Sequence, residues 1–158
     1  MSIRISGGNK WRAELVKRAK NMQSAQKVQI GFFPTATYDD GTPVAGVAAV
    51  QEFGTMSAGK GHNVVIPPRP FFRTAIAEGQ PDYSKLIEAS LKLTGGNAEK
   101  ALTIVGRKIQ TDVQESIRNW SEPPNAPSTI KQKGFNDPLI GKTRRMVNSV
   151  QMQVDGND

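Results

Sequence analysis

Apolar residues step by three or four along Ala98, Leu102, Val105, Ile109, Val113, Ile117 and Trp120. That period predicts an amphipathic helix running to about Asn119, capped by Asn97 and serving as core. Gly106 lies beside the seam, where it either costs about 1 kcal/mol or permits close packing. Lys10–Gln23 repeats the pattern with Trp11, Leu15, Ala19 and Met22, while Arg12, Lys17, Arg18 and Lys20 fall mainly on other faces. A second amphipathic helix, basic on its outer side, follows. Alternation replaces the helical period in Lys27–Phe33 and again in Ser149–Val154, so both read as strands, with Asn63–Ile66 as a third, shorter one.

Between the first and third of these strands the chain is heavily punctuated. Tyr38-Asp39-Asp40-Gly41 is a turn cluster. Thr42 is placed as an N-cap with Pro43 at the first helical position. Val44, Val47, Ala48 and Val50 carry a small-residue helix to Phe53, and Gly54 ends it. Residues 56–62 form a glycine-rich loop expected to move. Pro67, Pro68 and Pro70 then hold the chain extended before Phe71, Phe72, Ala75 and Ile76 begin a short helix. Asp82–Thr94 reads as a separate helix ended by Gly95-Gly96. From Ser121 the chain turns Pro/Gly-rich, with scattered apolar anchors at Ile130, Phe135, Leu139 and Ile140. Residues 121–148 are therefore expected to be an extended docking segment, with one helical turn at Arg144–Asn148. The last residues, Asp155-Gly-Asn-Asp, are expected to fray.

At 158 residues this is the length of one domain, taken as residues 1–158. Apolar content is 37%, low enough to suggest that neighbouring subunits complete the buried surface. The net charge of +7 comes from positive residues dispersed along the chain, which favours a solvated surface over a nucleic-acid footprint. Without cysteine there is neither a disulfide framework nor a thiolate zinc site. The N-terminal residues lack the apolar core of a secretion signal, and no apolar run reaches the roughly 20 residues that span a bilayer. The expectation is a protein made and kept soluble in the cytoplasm, with no membrane contact.

Candidate chemistry is sparse. Gly141-Lys142-Thr143 ends like a phosphate-binding loop, but the glycine required five residues earlier is Asn136. Asp39-Asp40 lacks the spaced oxygen ligands of a calcium loop. No serine sits in a nucleophile elbow, and a triad would have to use His62, the single histidine. No catalytic, cofactor or metal residue is assigned.

Four stretches in order carry a resemblance. They are Val28-Gln-Ile-Gly-Phe-Phe; Ala48-Ala-Val-Gln-Glu-Phe-Gly-Thr55; Ile66-Pro-Pro-Arg-Pro-Phe-Phe-Arg73; and, after the long helix, Ser128-Thr-Ile-x-x-Lys133 with Pro138-Leu-Ile and Met146-x-Asn-Ser-Val150. Over about residues 28–150 the chain resembles tail-completion, or neck, proteins of long-tailed bacteriophages. Such proteins often continue Pro-Leu-Ile with Asp-Thr-Gly, where this chain has Gly141-Lys142-Thr143-Arg144. The resemblance implies a non-enzymatic virion component without cofactor. It would act late in assembly at the tail top or head–tail junction, usually as a ring of identical subunits. Its partners would be its own copies, neighbouring connector and tail-tube or terminator proteins, and, non-specifically, packaged DNA. A tail terminator or other connector ring is the alternative in the same class; a basic nucleic-acid-binding accessory protein and a hydrolase come from other classes.

The expected fold is α+β. The three strands form a small mixed or antiparallel sheet packed by one long helix and several short ones, with the Pro/Gly-rich extended segment alongside. Phe53, Phe71 and Phe72 are expected in the core or at a subunit interface, with neighbouring apolar residues favouring the core. Arg69 and Arg73 flank them, either as exposed charge or paired with acidic groups on a neighbour. Ile130, Phe135, Leu139 and Ile140 complete the expected interface.

Overall fold

The computed structural model describes residues 8–59 and 61–156. Expectations for residues 1–7, for Lys60 in the glycine-rich loop and for fraying at 157–158 lie outside the described residues. In chain order the elements are α1 (Gly8–Met22), β1 (Ala25–Phe32), α2 (Val44–Phe53), β2 (Thr55–Ala58) and β3 (Val64–Ile66). They continue with α3 (Phe71–Leu93), α4 (Ala98–Asn119), α5 (Pro127–Lys133), α6 (Arg145–Asn148) and β4 (Val150–Gly156). The class is α+β.

The strands do not share one sheet. β1 and β4 form an antiparallel ribbon, and β2 and β3 form a separate hairpin. Asn63–Ile66 was expected beside the other two strands. It pairs instead with Thr55–Ala58, its immediate predecessor, because a short loop closes a hairpin at far lower entropic cost than a distant pairing. In the β1–β4 ribbon, Val28, Ile30 and Phe32 stand opposite Val154, Met152 and Val150. The strict alternation therefore builds one continuous apolar face. Asp155 and Gly156, expected to fray, belong to this ribbon, where the Lys27 ammonium lies 3.0 Å from the Asp155 carboxylate.

Helix α4 lies across that apolar face. Its N-terminus is closed by the Asn97 side chain, which accepts a hydrogen bond from the Lys100 amide at 2.8 Å. Gly106 explains the closeness of the packing. A Cβ there would come within 2.7 Å of Met152 Sδ and 2.8 Å of Val28 Cγ2, so only hydrogen fits between helix and ribbon.

Against the other side of α4 runs α3, joined to it by the positive-φ pair Gly95-Gly96. Here two predicted helices are one. Gly79 and Pro81 read as breakers, and a proline inside a helix costs about 3 kcal/mol. The cost is offset along the α4 contact, where Ala75, Tyr83 and Ser90 are buried. The Tyr83 hydroxyl donates to Asp112 Oδ2 at 2.8 Å, tying α3 to the neighbouring helix just after Pro81, and lies 3.3 Å from the Ala75 carbonyl of its own helix.

One core gathers residues from α2, α3, α4, α6 and β4, with Ile30 and Phe32 of β1 packed against it. Val44 and Ala48 of α2 meet Phe71 and Ala75 of α3, Val113 and Ile117 of α4, and Met146, Val147 and Val150. Leu139 and Ile140 close it. The segment from 121 to 148 is thus docked on its own chain, and part of it coils into α5, which periodicity did not indicate. Among the described residues, no helix is long and apolar enough to cross a membrane.

Candidate interaction site

Helix α2 presents two adjacent rows. Val44, Ala48 and Glu52, spaced by four, face inward and are buried. The next row, Ala45, Ala49 and Phe53, borders a groove of about 320 Å³ whose other wall is Phe32, Phe71 and Phe72. Methyl side chains leave room above the helix, and the aromatic rings form the sides. Phe53 was expected in the core or at an interface, with the core favoured; at 68% exposure it is not core. It is the last residue of its helix, and its ring stands at the edge of the groove in solvent.

Glu52 is the polar residue at the heart of this site. The preceding residue of α3 is Pro70, which has no side-chain group to cap a helix. Glu52 supplies the missing acceptor from α2: Oε2 accepts from the Phe72 amide at 2.9 Å and Oε1 from the Arg73 amide at 3.3 Å. A carboxylate at a helix N-terminus also meets the positive end of the dipole. Arg73 completes the unit. Its Nε lies 3.0 Å from Glu52 Oε1, its Nη2 donates to the Glu52 carbonyl at 3.1 Å, and its guanidinium covers the Phe53 ring at 5.1 Å. Arg73 was expected either as exposed charge or with an acidic partner on a neighbour; its side chain is 57% exposed and its acidic partner lies within its own chain.

Arg69 departs further from expectation. It is 3% exposed and works as a strut. Nη1 donates to Gln51 Oε1 at 2.6 Å, Nε to the Pro123 carbonyl at 2.9 Å, and Nη2 to the Pro124 carbonyl at 3.1 Å. Burial holds its pKa below the ordinary arginine value. Three satisfied donors compensate a buried cation, and the price is the fixed course of residues 123–124.

The chain makes this geometry possible at Gly54. With φ at 73° and a built Cβ only 2.8 Å from both the Ile66 carbonyl oxygen and the Pro68 nitrogen, no larger residue fits. The Thr42 cap, in contrast, does not form: α2 starts at Val44 with Pro43 as its N-cap, and Asp40 Oδ1 accepts from the Thr42 amide at 2.9 Å. That bond, with a second from the Thr42 side chain, holds the Asp40 carboxyl below its ordinary pKa.

Of the expected interface residues, the structure brings Phe53, Phe71, Phe72 and Arg73 together around one groove. Arg69 stands behind it. Phe71 is wholly core, Phe72 half-buried and in edge contact with it at 6.5 Å. Ile130 and Phe135 are half-buried on the 121–148 segment, with Lys133 over the Phe135 ring at 4.9 Å. Leu139 and Ile140 are core, which corrects their placement at an interface with another subunit. His62 lies at the tip of the β2–β3 hairpin in a left-handed conformation, with Ser57 Oγ 3.4 Å from its Nδ1. Among the described residues no carboxylate bonds that ring. Sequence reasoning missed Glu52, for which the signal was available: an acidic residue in one motif and, in the next, a helix that starts at Phe71 directly after Pro70, which has no side-chain group to cap it. Comparison with protein-family models, curated proteins and solved structures returns no match to this chain.

Proposed function

We propose that this chain is a structural subunit of the head–tail junction of a long-tailed bacteriophage, completing the tail or joining it to the head as a ring of identical copies. The observation that carries the reading is the interlocking of two sequence-distant stretches. Gln51-Glu-Phe-Gly54 and Arg69-Pro-Phe-Phe-Arg73 lie within the stretches that resemble neck proteins; Gln51 and Glu52 bond Arg69, Phe72 and Arg73, while Arg69 also holds the carbonyls of Pro123 and Pro124. What the unit leaves outside is an apolar groove beside an exposed phenylalanine. In a closed ring each subunit offers two different patches, and such a groove serves as one of them. The low apolar content of the chain fits a subunit that completes its burial with its copies.

Particles purified from cells carrying this gene test the proposal. The chain should be present at fixed stoichiometry, and Phe53→Ser should yield a folded subunit that fails to enter particles. Absence of the chain from mature particles overturns the reading.

A further inference from the structure

Helix α1 stands out from the body with its apolar face bare. Trp11 is 65% exposed, and Leu15, Val16 and Met22 are likewise in solvent. Trp11, Leu15, Ala19 and Met22 form one stripe at helical spacing, and the same spacing sets Arg12 and Arg18 on its two flanks. Over the whole helix five basic residues stand against one acidic, Glu14, whose carboxylate lies 3.2 Å from Arg18 Nε in an exposed pair that solvent screens. Just beyond the C-terminal end of α1 the chain is held at the start of α4, where Ser24 Oγ accepts from the Glu99 amide at 3.1 Å.

At the far end of the α3–α4 hairpin is a surface of the opposite character. A cleft of about 460 Å³ lies between the helices. Glu78 and Asp82 line its α3 side and Asp112 and Glu115 its α4 side, with Lys108 the one basic residue among the lining groups. Ala75, Gly79 and Trp120 supply its apolar part, and the buried Trp120 indole N–H has no acceptor among the described residues.

We infer that α1 of one copy lies in the α3–α4 cleft of the next, its stripe on the apolar part and its two arginines against the carboxylate walls. The inference rests on the ring reading above and names the pair of surfaces that closes it. Charge selects the occupant: Asp112 is paired with Lys108 and Tyr83 and Asp82 lies 3.8 Å from Lys85, which leaves Glu78 on one wall and Glu115 on the other to face a helix rich in arginine and lysine. The contact is heterologous, because helix and cleft are different patches of the same chain. Fifteen residues at the helical rise give α1 a reach of about 22 Å, enough to bridge from one subunit to its neighbour.

Sedimentation of the full-length chain across a concentration and salt series tests the pairing. Self-association should weaken as salt rises. Arg12→Glu with Arg18→Glu should weaken it at least about tenfold, as should Glu78→Arg with Glu115→Arg. All four residues are exposed on helices, so the variants should keep the native circular dichroism spectrum. Combining the two reversed sets should recover association to within about threefold, which mere structural damage would not do. Because the chain has no cysteine, Leu15→Cys and Glu78→Cys variants can be mixed and treated with a flexible thiol cross-linker. The expected product is a dimer joining the two variants, scarce when either is treated alone. Association untouched by both reversals overturns this pairing while leaving the ring reading standing; a wild-type chain that stays monomeric throughout overturns both. Cross-linking of a doubly substituted chain only to itself, or duplex DNA binding through α1 without self-association, also overturns it.

Discussion

Replacing Glu52 with alanine tests the internal logic of the groove most sharply. Glu52 is 6% exposed and serves as the acceptor for the first turn of α3. Its removal strands the Phe72 and Arg73 amides, for which loss of a cap costs about 1 kcal/mol and unsatisfied burial somewhat more. Loss of a charge at the helix dipole adds up to about 1 kcal/mol. The Arg73 ion pair contributes less than about 1 kcal/mol, because the Arg73 side chain is 57% exposed and screened by solvent. Glu52→Ala should therefore lower stability by about 3 kcal/mol, or Tm by about 6–12 °C for a chain of this size. Glu52→Gln keeps one acceptor oxygen for the Phe72 amide but loses the charge and the second acceptor, and should fall between, at about 2 kcal/mol. Arg73→Ala separates the two roles, since it deletes the ion pair and leaves the cap; it should cost no more than about 1 kcal/mol. Urea denaturation at one fixed protein concentration measures all three, because self-association would otherwise add a concentration-dependent term. If Arg73→Ala proves as damaging as Glu52→Ala, or if Glu52→Ala costs less than about 1 kcal/mol, the capping argument fails.

Three further predictions address the frame around the site. Gly106→Ala should destabilise by about 1 kcal/mol despite its better helix propensity, since the new methyl meets Met152 and Val28 below contact distance; equal or higher stability in denaturant would refute close packing of α4 on the ribbon. Gly54→Ala should cost more than about 2 kcal/mol, combining a left-handed φ with backbone atoms at 2.8 Å, and an unaltered urea midpoint would contradict it. Burial, then the hydrogen bond and charge of Asp112, push the Tyr83 pKa well above its ordinary value of 10.0. A raised folded pKa means the phenol's contribution is full below pH 10 and is lost as pH climbs above it. Tyr83→Phe should lower stability at neutral pH and flatten its alkaline decline; parallel profiles for the two proteins would refute this.

Elements that bury one face at a regular period were legible before the structure. The α4 seam, the alternation of β1 and β4, the Asn97 cap and the glycine stop after Phe53 all depend on neighbours in sequence. What escaped depends on neighbours in space. Pro81 carries a local penalty, and only the α4 contact through Tyr83 shows how one helix absorbs it. Arg69 reads as surface charge until the carbonyls of Pro123 and Pro124, more than fifty residues away, come to meet it. Phe53 has the composition of a core residue, yet its place at the last helical position carries it past the core. Leu139 and Ile140 looked like anchors for a partner because a Pro/Gly-rich segment shows no period from which to infer its own docking site. Of the groove, its aromatic residues were identifiable and its organising carboxylate was not.

The ring at the head–tail junction is the central claim, and an averaged electron-microscopic image of the neck of purified particles tests it most directly. A closed ring of identical subunits is expected between head and tail, into which this fold can be placed with α1 of each copy reaching its neighbour. A neck whose density is accounted for without this chain would contradict it.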